Sequence, residues 1–184
     1  MNKLISCLVE KISESNPQFS NLELKKMEYG LLCTFDEITK FVPYFFIFWL
    51  FSLQKYYLVT LMFFCPIRLF SGGYHANTYW GCFFISFIIF GIIIILGKYI
   101  LIAKNLLIIL AIASLVLICI FSPVDNINKR IKSQERRIKL KHFSILITLL
   151  LCISCYFIPS KFLNTSVISI VSATIMMMVG KIDI

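Results

Sequence analysis

A histidine and a cysteine, His75 and Cys82, stand seven residues apart in a polar stretch that runs from Arg68 to Cys82. An imidazole in hydrogen-bond reach of a thiol can take its proton, and the resulting thiolate is a nucleophile for acyl transfer. The neighbours have compatible chemistry. Arg68 ends an apolar run and either anchors it by snorkelling or orients a substrate carbonyl or carboxylate. Ser71 and Tyr74 can donate to an oxyanion, although a serine beside Gly72-Gly73 is also an ordinary turn residue. Against the dyad stands a plainer reading, a buried thiol that lies near a loop histidine.

Spacing constrains how the pair could meet. On one continuous helix, residues 75 and 82 would be about 10 Å apart along the axis, too far for proton transfer. A helix starting between them removes the difficulty. Asn77 or Thr78 can cap the run 79–97, which places Cys82 about one turn beyond the first helical residue, where the dipole modestly favours a thiolate. Gly72 and Gly73 permit the backbone angles that would fold the His75 loop back over that helix start. For the group that orients His75, the sequence leaves Asp36, Glu37, Asn77 and Asp125 as equals.

The elements that must carry this stretch are membrane helices. Of 184 residues, 59% are hydrophobic and 15% charged, against norms of about 45–50% and about 25% in soluble domains. The mean hydropathy is +0.89. The fold expected is an all-α integral membrane protein, a single domain over 1–184 with an N-terminal amphipathic region at 1–40 and a transmembrane bundle at 41–180. In the first region Leu4, Ile5, Leu8, Val9 and Ile12 recur at helical spacing. The stretch Ser13–Ser20 breaks that helix, and Ser20 or Asn21 caps a second one. No small-residue cleavage pattern follows the start, so a cleaved signal peptide is not expected.

About six hydrophobic segments follow, at 41–53, 56–67, 79–97, 99–121 (interrupted at Lys104-Asn105), 143–158 and 162–179. A span needs about 20 residues. The third and the last three meet this with their flanks, whereas the first two are short, and are either spans extended by polar residues turned into the bundle or a re-entrant hairpin. Seven basic residues in a loop at 122–142 place that loop in the cytoplasm. Both termini and the Arg68–Thr78 loop then also face the cytoplasm, where a thiol stays reduced.

Other features resolve without special chemistry. Cys152 and Cys155 have CxxC spacing inside an apolar run, with no second ligand pair, and read as packing thiols. His142 closes the basic loop and is solvated. Met176-Met177-Met178 and Phe83-Phe84 face lipid or the bundle, and Tyr79 and Trp80 are interface aromatics. The basic loop suits anionic membrane lipids and lacks the interleaved aromatics of a nucleic-acid surface. No metal-ligand cluster or cofactor motif is present, so none is expected. Small residues are sparse in the later segments, which leaves no clear dimer face and leaves monomer or homodimer open.

The arrangement Arg68, Gly72-Gly73-Tyr74-His75, Cys82 resembles the core of the accessory gene regulator B (AgrB) family, quorum-sensing membrane peptidases of bacteria. A second stretch, Ser122 to Lys129, resembles the family's loop after the fourth hydrophobic segment; Arg130 departs from it, where many members have proline. The resemblance implies a multi-pass thiol protease of the bacterial cell membrane, with Cys82 as nucleophile, His75 as general base and then acid, and no cofactor. It implies an AgrD-like propeptide as substrate, cut before its C-terminal part through a Cys82 thioester. Cyclisation then gives a thiolactone autoinducing peptide of the kind that serves virulence regulation. Two rivals stay open at this level, a non-catalytic transporter or export subunit and a Cys-dependent membrane acyltransferase.

Overall fold

The computed structural model describes residues 2–16, 18–74, 76, 78–125 and 133–182. Seven helices follow one another along them: α1 (Asn2–Ser15), α2 (Asn21–Leu50), α3 (Gln54–Ser71), α4 (Tyr79–Tyr99), α5 (Lys104–Phe121), α6 (Gln134–Ser154) and α7 (Ser160–Ile182). The all-α membrane fold expected from the composition is the fold observed. Among the described residues, α4, α5 and α7 are long and apolar enough to cross a membrane.

The chain forms two compact units, Met1–Ile47 and Phe48–Ile184. In the first, α1 buries Ile5 and Val9 but leaves Leu8 49% exposed, so the apolar stripe read from the sequence is only partly covered. Ser20 then starts α2 with a reciprocal cap. Its Oγ accepts from the Glu23 amide at 3.3 Å, and its own amide and hydroxyl donate to Glu23 Oε2 at 2.9 and 2.8 Å. Of the two caps considered, Ser20 serves. These bonds hold the exposed Glu23 carboxyl below its usual range, first through the Ser20 amide, then the Ser20 hydroxyl, with help from Lys26.

Helix α2 runs unbroken from the charged segment through most of the first hydrophobic run. That run is therefore the end of a 30-residue helix and not a short element of its own. The second run also proves longer than its apolar core, because α3 continues through Arg68 to Ser71. At 18 residues it is about 27 Å long.

Within the second unit, α7 packs against α3, α4 and α5, while α6 packs against α3 and α5. Buried Tyr57, Thr60, Phe63, Phe64, Ile67 and Ser71 form one face of α3. Phe64 meets Phe90 of α4 edge to face at 5.3 Å. Small residues, read as sparse, are concentrated on α7, where Thr165, Ser166, Ser169, Ala173, Thr174 and Gly180 are buried. They let α4 approach closely: a Cβ on Gly97 would lie 2.3 Å from Thr165 Oγ1. Several buried hydroxyls are satisfied on their own helices, Ser169 donating to Thr165 O at 2.6 Å, Thr174 to Ile170 O at 2.9 Å and Thr148 to Ser144 O at 2.7 Å, whereas the buried Thr165 Oγ1 has no hydrogen-bond partner among the described residues.

The basic segment differs from the loop expected at 122–142. Helix α6 starts at Gln134, capped by Ser133 Oγ, so Arg136, Arg137, Lys139 and Lys141 lie on its first two turns. A helix with this charged start keeps only Phe143–Ser154 of the fifth hydrophobic run, and residues Cys155–Phe157 turn. His142 is exposed as expected, with Nδ1 2.8 Å from Ile138 O, but it sits inside α6 and does not close a loop. Lys129, Arg130 and Lys132 lie outside the described residues.

Candidate active site

The site is built where α3 ends and α4 begins. Helix α3 stops because Gly72 adopts φ +72° and ψ −155°, a region essentially reserved for glycine. Gly73 follows at φ +123°. The Arg68 guanidinium folds back over this turn, Nη1 donating to Gly72 O at 2.8 Å and Nη2 to Tyr74 O at 2.5 Å. The observed geometry makes Arg68 a clamp on the turn, a role neither of the sequence alternatives described. Ser71 is buried with its Oγ 3.3 Å from Gly72 O, which fits the turn-residue reading.

Two further elements hold the turn. Val124 pairs with Gly72 as an isolated parallel bridge, its amide donating to Ser71 O at 2.8 Å. A Cβ on Gly72 would lie 2.2 Å from Val124 O, so only glycine fits there. On another side, the Tyr74 amide donates to Met176 O of α7 at 3.1 Å. The Val124 segment is itself anchored: Ser122 Oγ lies 2.5 Å from Ser144 Oγ, and Asp125 forms an ion pair with Arg137. Ser122-Pro123 is a cis peptide.

Helix α4 starts between residues 75 and 82, at Tyr79. Thr78 is the N-cap, with Oγ1 accepting from the Gly81 amide at 3.1 Å. Cys82 is the fourth helical residue, half-buried, with its amide donating to Thr78 O at 3.0 Å. Tyr79, Trp80, Phe83 and Phe84, its neighbours in sequence, meet one another in edge-to-face and stacked contacts. Cys7, Cys65, Cys82, Cys119, Cys152 and Cys155 are all outside disulfides.

His75 and Asn77 lie outside the described residues, whereas their neighbours Tyr74, Ala76 and Thr78 are described. Of the groups considered for orienting His75, Asp125 is engaged by Arg137, and Glu37 pairs with Lys40 at 2.9 Å. Val124, Met176 and Gly180 were not among the site residues read from the sequence. The resemblance at Ser122–Lys129 marked Val124's neighbourhood, but no local pattern ties α7 to a loop about 100 residues earlier.

The family model of Accessory gene regulator B matches residues 3–179. A putative AgrB-like protein of Clostridium beijerinckii is 27% identical over 158 residues, covering 85% of this chain and 78% of that protein. An accessory gene regulator protein B of Staphylococcus carnosus (strain TM300) is 26% identical over 165 residues, covering 88% and 86%. No solved structure matches the chain. With the family match running across both units and the helices able to span a membrane, this chain is an integral membrane protein of the accessory gene regulator B family and takes part in accessory gene regulator quorum sensing.

Proposed function

We propose that the protein is a membrane-embedded cysteine endopeptidase that removes the C-terminal part of an AgrD-like propeptide and promotes thiolactone closure of the autoinducing peptide. The observation that carries this reading is Cys82, half-buried in the Thr78-capped first turns of α4, which follows in sequence a turn held by Arg68, Val124 and Met176. Helix starts favour thiolates, and fixed geometry favours proton transfer.

In the proposed reaction His75 takes the Cys82 proton as Sγ adds to the scissile carbonyl. The tetrahedral intermediate collapses as His75 returns that proton to the departing amine, leaving a thioester on Cys82 and a free C-terminal tail. A thiol within the peptide then attacks the thioester, closing a thiolactone and returning a proton to Cys82. Exchange between two thiols is close to energy-neutral, whereas making a thioester from an amide is uphill, so removal of the tail has to pull the first step. A site poor in water protects the intermediate from hydrolysis. Arg68, Gly72, Gly73 and Ser71 support the turn and touch no reacting atom in this scheme.

Positive charge at the start of α6 supports a cytoplasmic site and contact with anionic lipids, and the chain acts as a monomer or homodimer. Co-expression with the propeptide is expected to shorten it, and Cys82→Ala or His75→Ala to abolish the cut. Full processing by Cys82→Ala would sink the mechanism.

A further inference from the structure

Helix α7 ends against the turn that leads to residue 75, and the fit there is closer than packing alone requires. A Cβ added to Gly180 would lie 2.2 Å from Tyr74 N, 2.4 Å from Gly73 C and 2.6 Å from Gly73 Cα. These are backbone atoms, which cannot swing aside as a side-chain tip can. One turn earlier, Met176 O accepts the Tyr74 amide at 3.1 Å. Gly73 is equally confined from its own side, since its Cβ would meet Met176 O and Met177 Cα at 2.7 Å. The last turn of α7 is tethered in its turn, with Lys181 Nζ 4.1 Å from the centroid of the Phe121 ring, immediately before the Ser122–Val124 segment that pairs with Gly72.

We propose that Gly180 is a positioning residue of the peptidase site: its bare backbone sets where Gly73 and Tyr74 lie, the two residues that lead the chain into His75. The proposal rests on the peptidase reading. The effect of Gly180 is on the proton-transfer step, because the residues it touches directly precede His75 in the chain. A general base contributes about 10²–10⁴-fold to such a step, and displacing its loop forfeits part of that.

The test compares wild type, Gly180→Ala, Gly180→Val and Lys181→Ala in proteoliposomes, with propeptide cutting measured across substrate concentration. Gly91→Ala is the control, because nothing lies within 4 Å of a Cβ there. Gly180→Ala is expected to lower kcat about tenfold or more with KM unchanged, with membrane yield kept and melting lowered, since the backbone has to shift to admit the Cβ. Lys181→Ala adds no atom at the contact and is expected to lower kcat severalfold.

Alkylation of Cys82, left as the sole cysteine, gives a readout without substrate. His75→Ala and Gly180→Ala should each slow it, and the double variant should be no slower than His75→Ala alone, since both act through one group. Normal kcat in Gly180→Ala while Cys82→Ala is dead overturns the positioning role alone. Additive slowing in the double variant overturns it too, and if the glycine variants do not insert, normal kcat in Lys181→Ala does so. Equal cutting by wild type and Cys82→Ala instead overturns the peptidase reading beneath it.

Discussion

Replacing Arg68 by lysine separates the two roles that an arginine at this position could have. The guanidinium holds Gly72 O at 2.8 Å and Tyr74 O at 2.5 Å with different nitrogens of one planar fork. An ammonium is a point donor on a flexible stem and cannot reproduce that fork. At least one charge-assisted hydrogen bond is lost, worth about 1.5–3 kcal/mol. At about 1.4 kcal/mol per tenfold, the ratio of clamped to released turn falls about 10- to 100-fold. Any surplus stability in the wild-type turn absorbs part of this, so turnover is expected to fall about 5- to 100-fold. Propeptide cutting in proteoliposomes, titrated with substrate, reads the outcome. A clamp predicts reduced kcat at unchanged KM, because the turn fails to present the site after substrate is bound. A residue that holds a substrate carboxylate predicts the reverse, raised KM at unchanged kcat. That second pattern, or a kcat within about threefold of wild type, would refute the clamp argument.

The capping box at the start of α2 gives a pH dependence of known sign. Glu23 has a folded-state pKa below its unfolded value, so its contribution is fully present above the unfolded value and lost as pH falls through the depressed one. Helicity of the first unit, followed by circular dichroism on acidification, is expected to lose an acid-sensitive component in Ser20→Ala; an identical acid profile would contradict the cap. The proposed orientation is tested by single cysteines in a cysteine-free background. Gln134→Cys, exposed at the start of α6, should resist an impermeant thiol reagent in intact cells, and Leu101→Cys, 97% exposed between α4 and α5, should react. Labelling of Gln134→Cys in intact cells contradicts a cytoplasmic site.

The sequence by itself determined the class of the protein and the local start of its candidate site. Membrane residence followed from composition, because a chain this apolar has too little polar surface to face water. A cap at Asn77 or Thr78, and with it the position of Cys82 in the first turns of α4, followed from side chains acting on amides three or four residues away, and the structure settled on Thr78. That Gly72 and Gly73 would take backbone angles other residues resist followed from glycine's freedom, also a local property. Boundaries set by charge were less legible: α2, α3 and α6 run straight through Lys40, Arg68 and Lys139, because a helix tolerates a charge that snorkels, pairs or meets solvent.

Only the tertiary structure decided what surrounds the turn. Val124 and Met176 contribute backbone atoms, whose hydrogen bonding leaves no mark on residue type, and Arg68 became a clamp only once the carbonyls it reaches were placed. Gly180 looks from sequence like the ordinary end of an apolar helix. Its meaning comes from a neighbour about 100 positions away, whose main chain leaves no room for a side chain.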